Sequence, residues 1–319
     1  MNLLNRVEIK GYRGISIELN KLKEVNLLVG NNPCGKTSIL EALSLMCQPQ
    51  NPHEWIKMLQ RRDFSALDYL PKSFKGCFSR LVQDDDIRAS CHFKCHGDFP
   101  MRELDIYYNE TSYCKPHDLD ETAEVTKMNI QHSSLWNRSY PNFHTTEKQW
   151  HEMSLDTESD ISYTPVYNKG YYIECETVSG CSYLNNKKLI QIYTKILLNK
   201  QKEEKLEVLL KQLDHDIISI RLDASFNKYG EHPVLLVKHR KLGVLPLSAF
   251  GHTLRRYVFL ATALLCLNNG ILLIDDFDIN DLMLTWLIDI ANEQNVQVFL
   301  TMKTLPLFIN HDLFVHHFE

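Results

Sequence analysis

The chain has 319 residues, 44% hydrophobic and 24% charged, with a formal net charge of −5. This length can bury a large core, the composition is that of a globular protein, and the acidic balance gives no global basic field that would argue for nucleic acid. No basic leader precedes an apolar run at the N-terminus and no later stretch reaches roughly 18 uninterrupted apolar residues, so a cytoplasmic protein that does not enter a membrane is expected. Nine cysteines, an odd number without a secretion signal, read as reduced thiols.

In chain order, residues 6–19 (RVEIKGYRGISIEL) alternate apolar and polar around a Gly-Tyr-Arg-Gly turn, which predicts a hairpin with Arg13 at its tip. Arg13 is either a solvated turn residue or a group that reaches a ligand held nearby, and the pattern favours the solvated reading. Val25 to Val29 predicts an apolar strand, and Ser38 to Cys47 carries Ile39, Leu40, Leu43 and Met46 at helical spacing. After the Pro-containing QPQNPHEW, a helix is expected from Trp55 to Leu70. Residues 74–176, with short alternating runs such as IRASCHFKCH, predict an antiparallel β-rich subdomain. Within it, the polar and weakly periodic stretch from Cys114 to Ser162 reads as a long loop or a partly disordered segment.

Helical spacing returns at Lys187 to Leu198 and Glu203 to Leu213, followed by the strand-like runs DIISIRLDA and HPVLLVKHR. LPLSAFG then reads as a loop before a helix from Thr253 to Leu267, a turn at Asn268 to Gly270 and a buried strand from Ile271 to Ile274. A helix from Asp281 to Asn292 and a last strand, VQVFLTM, lead to Lys303. No internal repeat is present. The fold class is α/β, divided into residues 1–73, 74–240 and 241–319.

The stretch Gly30-Asn31-Asn32-Pro33-Cys34-Gly35-Lys36-Thr37 is a complete G-x-x-x-x-G-K-[ST] phosphate-binding loop, with Ser38 directly after it. Strand before and helix after supply its context. Such a loop points backbone N–H groups at a polyphosphate, and the helix N-terminus adds its positive dipole end. Lys36 then reaches the β- and γ-phosphates, and Thr37 offers its hydroxyl to Mg²⁺. Ile271-Leu-Leu-Ile-Asp275-Asp276 is a buried strand ending in two carboxylates, which places acid at the ligand-binding edge of an open α/β sheet. Asp275 suits the second metal-coordinating group and Asp276 a base that orients water. Ser248 and Gly251, at a predicted helix start, form either an ordinary N-cap or an anion-friendly loop. Cys91, Cys95, Cys114 and His117 offer C-x-x-x-C and C-x-x-H pairs, but their spacing matches no well-defined zinc class, and Cys91, Phe93 and Cys95 equally suit one face of a strand.

Taken together, GNNPCGKTSILEAL, PLSAFGHTLRR, NGILLIDDFD and NVQVFLTM resemble, in order, the motifs of small ABC-type ATPases of the OLD and RecF-like group, catalogued as AAA-15 or AAA-21. The resemblance implies a P-loop NTPase head related to those of SMC and RecF, with a mixed central sheet, an N-terminal antiparallel hairpin and an inserted β-rich and helical subdomain. In it, residues 1–73 carry the Walker A loop and 241–319 the signature and Walker B. Two heads sandwich ATP between the loop of one and the signature of the other. Gly30, Gly35, Lys36, Thr37 and Ser38 match the phosphate loop, Ser248 and Gly251 the signature, Asp275 the Walker B carboxylate, and Arg13 the hairpin arginine. Three positions depart from the pattern: Asp276 replaces the usual glutamate, His252-Thr253 the usual Asp-Gly, and Lys303 the switch histidine. A carboxylate about 1.5 Å short of its water loses roughly 10²-fold in rate, so nucleotide binding with slow hydrolysis is expected. A degenerate pseudo-ATPase serving as scaffold, or paired with an active paralogue, is the alternative. The chain ends soon after Lys303, so the Toprim nuclease of OLD proteins is not expected and a separate effector protein is. Work in DNA repair or anti-phage defence is implied by the resemblance, and DNA itself is an open candidate partner.

Overall fold

The computed structural model describes residues 3–31, 34–48, 54, 58, 79–81, 88–98, 101–114, 122–135, 146–156, 161–163, 173–180, 182–223, 233–277, 279–304 and 313–318. Of the helix expected over Trp55 to Leu70, all but Met58 lies outside them. In chain order the elements are β1 (Arg6–Tyr12), β2 (Ile15–Asn20), β3 (Val25–Gly30), α1 (Lys36–Cys47), β4 (Ser79–Leu81), β5 (Arg88–His96), β6 (Met101–Cys114), β7 (Thr122–Leu135), β8 (Thr146–Asp156), β9 (Ile161–Tyr163) and β10 (Cys175–Ser179). There follow α2 (Asn186–Leu197), α3 (Lys200–Leu213), β11 (Ile217–Asp223), β12 (Val234–His239), β13 (Gly243–Pro246), α4 (His252–Cys266), β14 (Ile271–Asp275), α5 (Asp281–Gln294), β15 (Gln297–Met302) and β16 (Leu313–Phe318). The chain divides into two compact units, the first made of Met1–Lys23, Gly30–Ile173 and His316–Glu319, the second of Glu24–Val29 and Glu174–Val315.

In the first unit the expected hairpin forms, with β1 and β2 antiparallel about a turn whose residues Arg13 and Gly14 have φ of 47° and 77°. The hairpin extends into the β-rich segment. The antiparallel sheet runs β2-β1-β5-β6-β7-β8-β9, with β4 on β5. Val7, Ile9 and Tyr12 of β1 alternate inward with Cys91, Phe93 and Cys95 of β5, against Leu40, Leu43 and Met46 of α1 in the same buried set. The stretch from Cys114 to Ser162, read as a loop, carries two long strands instead: β7 pairs β6 from Met101↔Ser134 to Cys114↔Thr122, and β8 pairs β7 from Val125↔Asp156 to Leu135↔Thr146. Backbone ladder bonds to the strands just before and after hold such strands, and polar sequence with weak periodicity does not advertise them.

The second unit is built on the sheet β10-β14-β15-β3-β16. Strands β10, β14, β15 and β3 are parallel, so their carboxyl ends share one edge. Four consecutive buried residues in β14 and five in β15 show why these segments read as nearly uninterrupted apolar runs. Asn26, buried in β3, donates from Nδ2 to the Val298 carbonyl at 3.2 Å, which keeps a polar side chain satisfied inside the sheet. Helix α4 is buried from Tyr257 to Cys266 and shares the core with Leu189, Ile192 and Ile196 of α2, Leu206 and Leu210 of α3, and Leu287 and Ile290 of α5. Each such side chain contributes about 1.5–3 kcal/mol on burial. Asparagines start three of these helices: Asn185 Oδ1 accepts from Lys188 N, Asn199 Oδ1 from Gln201 N and Lys202 N, and Asn280 Oδ1 from Met283 N. The segment read as a loop before α4 contains β13, which closes the antiparallel sheet β11-β12-β13 before a 3₁₀ turn at Leu247–Ala249.

Candidate functional site

Strand β3 delivers the chain to Gly30 at the carboxyl edge of the parallel sheet, where Met302 of β15 pairs with Val29. Beyond it, the loop residues Asn32 and Pro33 lie outside the described residues. A Cβ on Gly30 would meet the Phe318 carbonyl oxygen at 2.5 Å and Cys34 Sγ at 3.0 Å. Gly35 closes the loop as the N-cap of α1 with φ of 84°, and a Cβ there would lie 2.7 Å from Ile15 Cγ2. Both glycines are therefore demanded by backbone and packing. Gly35, the N-cap, offers no capping side chain to α1 and no acidic residue enters the first turn, so the N-terminal end keeps the positive character that binds phosphate. Lys36, buried, turns its Nζ back onto the loop, donating to the Gly30 carbonyl at 2.6 Å and the Asn31 carbonyl at 3.4 Å, with Cys34 Sγ at 3.3 Å. This holds the ammonium at the loop's centre. Thr37 is half-buried, and Ser38 is buried behind it.

Arg13 is not a solvated turn residue. Its Nε lies 2.9 Å from Glu41 Oε2, with the Arg13 side chain 16% and the Glu41 side chain 3% exposed. The Tyr12 hydroxyl donates to the same oxygen at 3.3 Å, and Arg13 Nη2 approaches Met58 Sδ at 3.4 Å. A guanidinium so far from water needs a charged partner, and the second turn of α1 supplies it. Sequence patterning singles out Arg13 but neither Tyr12 nor Glu41, which read there as ordinary hairpin and helix residues.

At the end of β14, Thr301 of β15 donates its hydroxyl to Asp275 Oδ1 at 2.8 Å and accepts from the Asp276 N–H at 3.0 Å. One hydroxyl thus fixes the Asp275 carboxylate and the backbone of the next residue. Asp276 takes φ of 47° and is exposed, while Asp275 is half-buried. Thr301 was legible only as part of the last strand. Its partner across one strand could be named once the order β14-β15 was known. Lys303 is exposed on a bend just after β15.

Ser248 lies exposed in the 3₁₀ turn, and Gly251 is the exposed N-cap of α4 with φ of −60°. Nothing among the described residues comes within 4 Å of a Cβ on Gly251, so the protein's own packing does not require glycine there. His252 Nδ1 lies 3.3 Å from the Tyr183 hydroxyl, and the Arg255 and Arg256 guanidiniums stand 5.8 and 5.1 Å from the Tyr183 ring. The start of α4 is thereby tied to the turn after β10.

Two clusters with metal-ligand character resolve differently. Cys91 and Cys95 share the buried face of β5, with Cys95 Sγ 3.2 Å from Met46 Sδ; the Cys114 side chain and His117 lie outside the described residues. Asp214, Asp216 and His239 converge, yet His239 Nδ1 accepts from Lys241 N and Leu242 N while Nε2 donates to Asp214 Oδ2 at 3.2 Å. Asp216 pairs with Lys241 at 2.5 Å, a hydrogen bond that holds its carboxyl below the usual range. The trio clamps the β12–β13 turn.

A family profile described as an AAA ATPase domain matches residues 3–232, a span that holds the phosphate loop, Arg13 and Glu41 but stops before Ser248 and Asp275. An "ATP/GTP phosphatase" of Helicobacter pylori (strain ATCC 700392 / 26695) is 24% identical across 94% of this chain and 85% of its own length. Among solved structures, an SmcHead bound to the C-winged helix domain of ScpA aligns over 97% of this chain and 95% of that one, at 12% identity and a TM-score of 0.47. The recombination mediator protein RecF with ATP aligns over 96% and 93%, at 11% identity and a TM-score of 0.40.

Proposed function

Because the chain belongs to the AAA ATPase domain family, we propose that it is an ABC-type ATPase subunit that binds Mg-ATP, dimerises on it and controls a separate effector protein, hydrolysing slowly. The observation that carries this reading is the phosphate loop itself: a helix N-terminus with glycine as its N-cap, two sterically required glycines and a buried lysine whose ammonium sits on the loop carbonyls. In this reading Lys36 holds the β- and γ-phosphates, with Gly30, Asn31, Asn32, Cys34, Gly35 and Ser38 contributing the loop around them. Thr37 and Asp275 hold Mg²⁺, which neutralises charge developing on the phosphates. Asp276 orients the attacking water and Lys303 stands at the γ-phosphate-sensing position, both imperfectly, which makes turnover slow.

Ser248 and Gly251 supply the second half of the sandwich. The exposed, sterically unneeded glycine at the start of α4 supports close approach by another molecule, and a second copy or a paralogue of this chain is that molecule. The name of the Helicobacter pylori relative, "ATP/GTP phosphatase", favours retained hydrolysis over a purely scaffolding role. Sedimentation of the purified chain with and without Mg-ATP tests the sandwich. ATP should convert monomer to dimer in the wild type, and neither Lys36→Ala nor Gly251→Arg should dimerise; ATP-independent behaviour of all three would refute it. The effector, in anti-phage defence or DNA repair, and any role of DNA stay within the same proposal. Duplex binding would show as an affinity that falls steeply with salt.

A further inference from the structure

We propose that Glu41 is a positioning residue for nucleotide binding: its carboxylate holds the Arg13 guanidinium against the phosphate loop. This rests on the reading of Gly30 to Ser38 as an ATP site. The geometry comes from one continuous helix and one turn. Helix α1 begins with Lys36, whose ammonium lies on the loop carbonyls, and carries Glu41 in its second turn. The β1–β2 turn packs directly on the loop, since the residue after Gly14, Ile15, lies where a Cβ on Gly35 would fall. Arg13 occupies that same turn. The contacts that fix its side chain include Nε to Glu41 Oε2 at 2.9 Å and to the Tyr12 hydroxyl at 3.4 Å, Nη2 to Met58 Sδ at 3.4 Å, and the Tyr12 ring 5.8 Å from Cζ. Tyr12 is itself fully buried, its ring tilted at 59° against Phe93 with centroids 5.7 Å apart, and its hydroxyl steadies the same Glu41 oxygen.

Two features speak against a purely structural link between hairpin and helix. Joining two elements by a nearly buried ion pair costs desolvation that an apolar pair of the same size avoids. Arg13 also holds a left-handed φ of 47°, where glycine or asparagine would be less strained. A strained, desolvated cation on the turn that packs on a phosphate loop suits an anionic ligand, because its fork of donors is already oriented. Glu41 keeps that fork from swinging into water.

Isothermal titration of the full chain with Mg-ATP tests the assignment through a double-mutant cycle. Glu41→Gln and Arg13→Ala should each weaken ATP binding about tenfold, the effect of losing one charge-assisted contact. In the Arg13→Ala background Glu41→Gln should cost nothing further, because there is no guanidinium left to orient. Losses that multiply, or a folded Glu41→Gln that binds ATP as the wild type does, overturn the proposal even if it lowers thermal stability. Should Glu41→Gln fail to fold, Glu41→Asp, whose carboxylate is one methylene shorter, is expected to fall between wild type and Arg13→Ala, and wild-type affinity in that variant overturns the proposal. Lys36→Ala separates the two levels. A wild type that does not bind ATP removes the parent reading and this one with it, whereas binding lost in Lys36→Ala but intact in Glu41→Gln removes only the role of Glu41.

Discussion

Single atoms decide most of what the phosphate loop can do. Gly35 combines φ of 84° with Ile15 Cγ2 at 2.7 Å from a would-be Cβ, so Gly35→Ala meets both left-handed strain and a clash. It should destabilise the protein by about 1–3 kcal/mol in urea unfolding and remove ATP binding. Thr301→Val keeps the shape of β15 but leaves the Asp275 carboxylate and the Asp276 N–H without their shared hydroxyl. A loss of about 1–2 kcal/mol is expected, and in an ATPase assay turnover should fall while ATP affinity holds. An unchanged turnover would mean that Thr301 does not orient the acidic pair. Sequence singles out the glycines and Lys36 because they belong to a motif of fixed spacing, and Asp275 because it ends a buried apolar strand. It does not single out Glu41, Tyr12 and Thr301, since each gains its role from a neighbour far away in sequence.

Among the elements, the contiguous apolar strands β14 and β15 and the periodic helices α2 to α5 could be read within three residues, because burial on both faces or one stripe leaves its mark on composition. Strands β10 and β16 could not. Among the described residues, the five at Cys175–Ser179 join the central sheet through parallel pairing with β14, and β16 through β3. In β16, burial pushes His316 down from 6.5 to about 4. The native imidazole then stays neutral while the unfolded chain takes up a proton below its ordinary value, so stability should fall as pH drops from about 6.5 to about 4. In chemical denaturation, His316→Gln should flatten that slope; an unchanged slope would exclude His316 as its source. On α4, the Cys266 thiol, which donates to the Ile192 carbonyl at 3.1 Å, is pushed up to about 11 by burial. It should resist alkylation in the native protein at neutral pH and react once denaturant unfolds it.

For the molecule as a whole, no helix among the described residues is long and apolar enough to cross a membrane. The parallel sheet presents Asp275 and the strand that feeds Gly30 at one edge, as open α/β sheets do with their ligand sites. The α/β class and the identity of the phosphate loop were visible from sequence because both are local patterns. The joining of hairpin and β-rich segment into one sheet was not, since antiparallel partners separated by some eighty residues leave no periodic trace. We propose a sound ATP site whose hydrolysis is limited by a carboxylate one methylene short. Steady-state ATP hydrolysis by the purified wild type, Asp276→Glu and Lys36→Ala measures it most directly. Slow turnover in the wild type, faster by roughly tenfold or more in Asp276→Glu and absent in Lys36→Ala, is the predicted result. Wild-type turnover equal to that of Lys36→Ala and unmoved by Asp276→Glu, with ATP still bound, would contradict it and leave a scaffold.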